Sequence, residues 1–105
     1  MGSEWVEHES WELVDEASHA CGRDISQLLL EAGAEELKQT RNSQLTTFVL
    51  SMVVLDAVER TGVAPNLTAG HSLGEYSALC ASGALSFEDA VRLVAERGEA
   101  MQVAA

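Results

Sequence analysis

The sequence predicts an α/β fold that is mostly helical, with one central strand leading into a sharp strand-to-helix turn, a nucleophile elbow. Three observations predict it. The pentapeptide Gly70-His71-Ser72-Leu73-Gly74 reads Gly-x-Ser-x-Gly, the turn that pushes a serine hydroxyl out of an α/β sheet. A side chain on so tight a turn must not crowd the backbone two residues away, which favours glycine on both sides of the serine. The flanks agree: Leu67-Thr68-Ala69 suits a short buried strand, and Leu73 to Ala81 suits a helix. Elsewhere, apolar residues recur at helical spacing.

The helices follow in order. Ser10 is placed to cap a first helix, in which Trp11, Val14, Ala17 and Cys21 share a face and Gly22 supplies the stop. Asp24 is placed to cap a short helix through Leu28-Leu29-Leu30, broken by Gly33. Ala34 to Gln39 adds a turn or two. Asn42 or Ser43 opens a long segment ending at Gly62. Its many valines suit a strand, but its length without a turn signal predicts a helix buried on most of its surface. Thr61-Gly62-Val63-Ala64-Pro65 is the loop into the strand. Gly83 ends the helix after the serine, and Ser86 with Asp89 forms a capping box for a last helix from Phe87 onward.

Size and charge bound the function. With 105 residues the chain holds at most one domain, and its 47% hydrophobic content is ample for a core. A Gly-x-Ser-x-Gly enzyme normally has several parallel strands covered by helices. One strand suggests a piece of something larger. The formal net charge of -11 argues against nucleic acid and against an anionic membrane, both of which need a basic surface. Much of the acid lies early, in Glu4, Glu7, Glu9, Glu12, Asp15 and Glu16, as on a solvated helix face. Cys21 and Cys80 lie among small or apolar residues, as reduced buried thiols do, with neither the number nor the spacing of a metal site. There is no secretory signal pattern, and the apolar stretch Phe48 to Val58 is too short to span a bilayer. A cytoplasmic protein is the expectation.

One charge lies on the wrong face. Phe87, Ala90, Val91, Val94, Gly98 and Met101 form the apolar stripe of the last helix. At about 100° per residue, Arg97 falls inside that stripe while Arg92, Glu96 and Glu99 fall opposite. Two readings stand side by side. In one, Arg97 clamps an anionic ligand, its planar fork suiting a carboxylate. In the other, its stem packs at the stripe's edge and its head reaches water.

The run Gly70-His71-Ser72-Leu73-Gly74-Glu75-Tyr76-Ser77-Ala78-Leu79, with Ala90-Val91-Arg92-Leu93-Val94, Arg97-Gly98 and Met101-Gln102 downstream, closely resembles malonyl-CoA:acyl carrier protein transacylases and the related acyltransferase domains of polyketide synthases. Asp15-Glu16-Ala17-Ser18 and Gly22-Arg23-Asp24 carry the resemblance upstream. It implies a fragment of the α/β-hydrolase-like large subdomain of the acyltransferase fold. Residues 1–105 then form a partial acyltransferase domain that lacks the opening strand, the general-base histidine region and the ferredoxin-like subdomain.

By the same resemblance Ser72 is the acyl-accepting nucleophile, and the backbone N–H of Leu73 forms half of the oxyanion hole. Arg97, 25 residues after the serine, binds the malonyl carboxylate, and Gln44 has a supporting role. The implied reaction moves a malonyl group from coenzyme A to the phosphopantetheine thiol of acyl carrier protein, in fatty-acid or polyketide biosynthesis. Malonyl-CoA is substrate, and no bound cofactor or metal is implied. Without the base, the fragment alone is expected to be inactive.

None of the three histidines is placed to be that base. His71 points away on the strand in a structural role, and His8 and His19 lie in the acidic start. Two other readings of the residues remain. One is a serine esterase or lipase of the α/β-hydrolase type, which accounts for Ser72 but not for an inward Arg97. The other is a non-enzymatic helical fragment that serves only as an interaction piece.

Overall fold

A computed structural model gives the fold, and residues 1–104 are described. Two short 3₁₀ turns, Ser3–Trp5 and Glu9–Trp11, precede six helices. These are α1 (Glu12–Cys21), α2 (Ile25–Leu30), α3 (Ala34–Lys38), α4 (Thr40–Glu59), α5 (Gly74–Ala81) and α6 (Phe87–Ala104). None is long and apolar enough to cross a membrane.

The core is built on α4. Leu45, Phe48, Val49, Met52 and Val53 of that helix pack against Val14 and Ala17 of α1, Ile25 and Leu29 of α2, and Ala90, Val91 and Val94 of α6. Phe48, fully buried, stacks on Phe87 with ring centroids 6.1 Å apart. The valine-rich segment is helical, as its length predicts. Its β-branched residues are tolerated because much of the helix is buried, and burial outweighs a propensity cost of a few tenths of a kcal/mol per residue.

The longest shared surface is between α4 and α6, and it is close. A Cβ on Gly98 would lie 3.0 Å from the Cα of Arg41, tighter than an ordinary contact, so a hydrogen in that position lets the two backbones meet without displacing either. This contact sets the register of the two helices. It also places Arg97, the next residue on α6, beside Gln44, three residues further along α4.

Several helix boundaries differ from expectation for tertiary reasons. Ser10 does not cap α1. It is fully buried, and its hydroxyl donates to Asp56 Oδ2 at 2.7 Å, joining the N-terminal turns to α4. Neither Asn42 nor Ser43 opens α4, which begins at Thr40 without a side-chain cap of its own. Gln102 of α6 instead accepts the backbone N–H of Arg41 at 3.2 Å. Asn42 is buried in the first turn; its Nδ2 donates to the Glu36 carbonyl at 2.8 Å, and its Oδ1 accepts from Arg23. The local signals hold elsewhere. Asp24 Oδ1 accepts from the Gln27 N–H at 3.0 Å, Gly22 ends α1 with φ +71°, and Ser86 Oγ accepts from the Asp89 N–H at 3.2 Å. The return half of that capping box is not made, because Asp89 pairs with Arg92 at 3.1 Å.

The central strand is the main correction. Among the described residues there is no strand, and Leu67-Thr68-Ala69 runs as irregular chain with Leu67 90% exposed. A strand exists only through hydrogen bonds to a neighbour, and no other extended segment here supplies them. The segment is tied instead to α5, where Thr68 Oγ1 donates to the Ala78 carbonyl at 2.9 Å.

Candidate active site

The turn between this segment and α5 is tight and strained. A Cβ on Gly70 would sit 2.0 Å from the carbonyl oxygen of Gly74, inside any permissible contact, so the first glycine of the motif is obligatory. Nothing lies within 4 Å of a Cβ on Gly74, so crowding does not explain the second glycine. Between them Ser72 has φ +57°, the single non-glycine residue with positive φ among those described. Such a residue costs about 1–3 kcal/mol and persists only where its surroundings impose it. Here the turn imposes it: the N–H groups of Gly74, Glu75 and Tyr76 donate to the carbonyls of His71, Ser72 and Leu73 at 3.0, 3.1 and 3.0 Å. The Leu73 N–H, adjacent to Ser72, is not among those the turn consumes. Ser72 is exposed and Leu73 half-buried.

Arg97 meets Ser72 from α6. Its Nη2 donates to Ser72 Oγ at 3.1 Å, and its Nη1 donates to Gln44 Oε1 at 2.5 Å. Gln44 is buried, and its Nε2 faces Met101 Sδ at 2.8 Å. Arg97 is half-buried, while Arg92, Glu96 and Glu99 on the other side of α6 are exposed. Both ends of the Arg97 fork are engaged by polar side chains of other elements, at an edge that stays partly open to solvent. The stripe is more open at this edge than periodicity suggests, with Leu93 and Met101 each 43% exposed.

Sequence reasoning assigned no role to Tyr76. Its ring lies under the Arg97 guanidinium, 5.7 Å from Cζ to centroid. Its place in the first turn of α5, directly after the serine's turn, brings it near the Arg97 head group.

No histidine reaches the serine. His71 is exposed, His19 is exposed on α1, and His8 caps the second 3₁₀ turn through Nδ1 at 3.1 Å from the Ser10 N–H. Both cysteines are free and half-buried; burial, with Glu59 adding to it, pushes the Cys80 thiol up. Among the described residues no group of His, Cys, Asp and Glu is placed to hold a metal ion. An open groove of about 620 Å³ lies along Thr68, Ala69 and Gly70 on one side and Tyr76 and Leu79 on the other. Neither Ser72 nor Arg97 lines it.

A serine held in a strained turn just before a helix, with a guanidinium on its hydroxyl, is the arrangement the Gly-x-Ser-x-Gly pattern describes, with a charged partner added. The chain belongs to the acyl transferase domain family, which matches residues 1–105. It is 50% identical over 92 residues to the malonyl CoA-acyl carrier protein transacylase of Bacillus subtilis (strain 168), covering 88% of this chain and 29% of that protein. The crystal structure of MCAT from Streptococcus pneumoniae superposes with a TM-score of 0.91 at 42% identity, over 100% of this chain and 35% of that one. A malonyl-transacylase solved in complex with its type II polyketide acyl carrier protein superposes with a TM-score of 0.83 at 39% identity, over 91% of this chain and 31% of that one. The chain thus spans about three tenths of the length of the curated relative.

Proposed function

We propose that this chain carries the nucleophile and the substrate-selecting arginine of a malonyl-CoA:acyl carrier protein malonyltransferase. The observation that carries the reading is the 3.1 Å contact between Arg97 Nη2 and Ser72 Oγ. An esterase needs the serine but has no use for a guanidinium on it. A purely structural helical piece needs neither, and has no reason to hold Ser72 at φ +57°.

The chemistry is a two-step acyl exchange. Ser72 Oγ attacks the thioester carbonyl of malonyl-CoA and gives up its proton, the C–S bond breaks, and coenzyme A leaves as the thiol. The phosphopantetheine thiol of acyl carrier protein then attacks the malonyl-serine ester, and Ser72 recovers its proton. The Leu73 N–H donates to the carbonyl oxygen as it becomes an oxyanion. One such donor is worth about 2.7–4 kcal/mol elsewhere. Arg97 leaves Ser72 Oγ for the free carboxylate, which one methylene separates from the reacting carbonyl. An acetyl group gives the guanidinium nothing to pair with, so acetyl transfer is disfavoured. Gln44 keeps Nη1 in place throughout. No histidine of the described residues hydrogen-bonds Ser72 Oγ, whose partner is Arg97, so the base comes from outside these residues. Leu67-Thr68-Ala69 becomes a strand once a neighbour fills the groove along its edge, completing the α/β-hydrolase-like subdomain.

The test uses the full natural polypeptide containing this chain. It is incubated with malonyl-CoA, quenched and digested, and the Ser72 peptide is weighed. One malonyl group on Ser72, discharged by added holo-acyl carrier protein, is the expected result. An unmodified Ser72, or undiminished transfer by Ser72→Ala, overturns the proposal.

A further inference from the structure

We infer that Tyr76 is a positioning residue for Arg97, its ring holding the guanidinium flat so that the fork's edge stays free for the substrate carboxylate. The inference rests on the reading of Arg97 given above and extends it to a residue with no assigned role.

The argument begins with the shape of a guanidinium. Its N–H donors all lie in one plane, and its two faces are poorly hydrated. Two in-plane donors are already in use, Nη1 on Gln44 Oε1 and Nη2 on Ser72 Oγ. These contacts hold the plane at its rim. They do not stop it from swinging about the line that joins them. The Tyr76 ring does, because Arg97 Cζ sits 5.7 Å from its centroid, within the range where an aromatic face attracts a cation. The ring offers no oxygen or nitrogen acceptor to the fork in this contact, so it does not compete with an incoming carboxylate. When the substrate draws Nη2 away from Ser72, Gln44 and the Tyr76 ring are the two contacts that remain.

The ring itself is well anchored. Tyr76 is half-buried against the core, and its N–H donates to the Leu73 carbonyl at 3.0 Å in the first turn of α5. Ser72 lies in the turn that leads directly into α5 and Tyr76 in the first turn of that helix, so one continuous segment presents both the serine and the surface that steadies the arginine. Any movement of the turn carries both together.

The test is made in the full natural polypeptide, comparing malonyl-CoA with acetyl-CoA. Tyr76→Phe keeps the ring and is expected to keep the wild-type preference. Tyr76→Leu removes the ring face; KM for malonyl-CoA is expected to rise roughly 3- to 30-fold, with acetyl transfer and phosphonate labelling of Ser72 unchanged. A second measurement avoids any folding defect of the leucine variant. Phenylalanines of increasing fluorination at position 76 barely change volume but drain the ring face of electron density, and malonyl KM is expected to climb with each fluorine. An unaltered malonyl preference in Tyr76→Leu, equal damage by Phe and Leu, or a flat fluorine series overturns the inference. The underlying reading fails separately, if Arg97→Ala leaves the malonyl preference intact.

Discussion

Arg97 of α6 and Ser72 of the turn before α5, 25 residues apart in the chain, are joined by a 3.1 Å hydrogen bond from guanidinium to hydroxyl. The contact is a product of helix packing. Gly98 lets α6 approach the α4 backbone at Arg41, and that approach carries Arg97 over Gln44 and onto the head of α5. Four predictions follow from this geometry and from the interactions around it.

Removing the guanidinium should separate binding of the diacid from competence of the serine. Arg97→Ala is expected to lower malonyl kcat/KM in the full natural polypeptide by about 10- to 10²-fold, as loss of a hydrogen-bonded charged contact worth about 1.5–3 kcal/mol implies. Arg97→Lys should recover little, since an ammonium cannot engage Gln44 and a carboxylate in one plane. Acetyl-CoA kinetics serve as the control; an equal loss with both substrates would mean that Arg97 only supports the fold.

Gly70 tests the turn. Gly70→Ala places a methyl against the Gly74 carbonyl, 2.0 Å from its oxygen, and the backbone at Ser72 must shift to accept it. Misplacement of a nucleophile by about 1 Å costs on the order of 10²-fold in rate. A serine-directed phosphonate should label Gly70→Ala at least that much more slowly, while Gly74→Ala, with open space around its Cβ, should label near the wild-type rate. Similar rates for the two variants would refute the steric argument.

Acid should loosen the N-terminal turns before the rest. Arg60 and then Ser10 hydrogen-bond Asp56 and hold its carboxyl below the usual carboxylate range. A depressed folded value means stability that is present above the unfolded Asp value, about 3.9, and lost as pH falls through the folded one. The protection of the Trp5 to Trp11 amides against hydrogen exchange, taken relative to the intrinsic rate at each pH, should therefore fall as pH drops below about 4. Asp56→Asn should abolish that dependence. The same acid profile in both proteins would rule Asp56 out as the cause.

The 105-residue chain alone should transfer malonyl poorly or not at all, because among the described residues no histidine hydrogen-bonds Ser72. The measurement is turnover of the isolated chain beside the full natural polypeptide; comparable rates would refute the prediction.

Much of this was legible in the residues themselves. Gly70, Ser72 and the α5 helix could be read because a tight turn and a helix are local: a few consecutive residues set their conformation. The Asp24 cap and the Gly22 stop are local for the same reason. The expected strand failed because Leu67-Thr68-Ala69 has the composition of a strand but no neighbour to bond. Ser10 and Asn42 misled because a polar side chain near a helix start can cap its own backbone or reach another element. Sequence spacing does not distinguish the two.

What the amino-acid order alone determined was the serine's turn, the helices around it, and one arginine on an apolar face. What only the tertiary structure decided was where that arginine points, that Gln44 and the Tyr76 ring lie against it, and that α4 takes its first cap from Gln102 of α6. The physical reason is range. Backbone conformation depends on near neighbours, whereas a charge is placed by packing between helices far apart in the chain. Here that packing turns on a glycine with no side chain to keep two backbones apart.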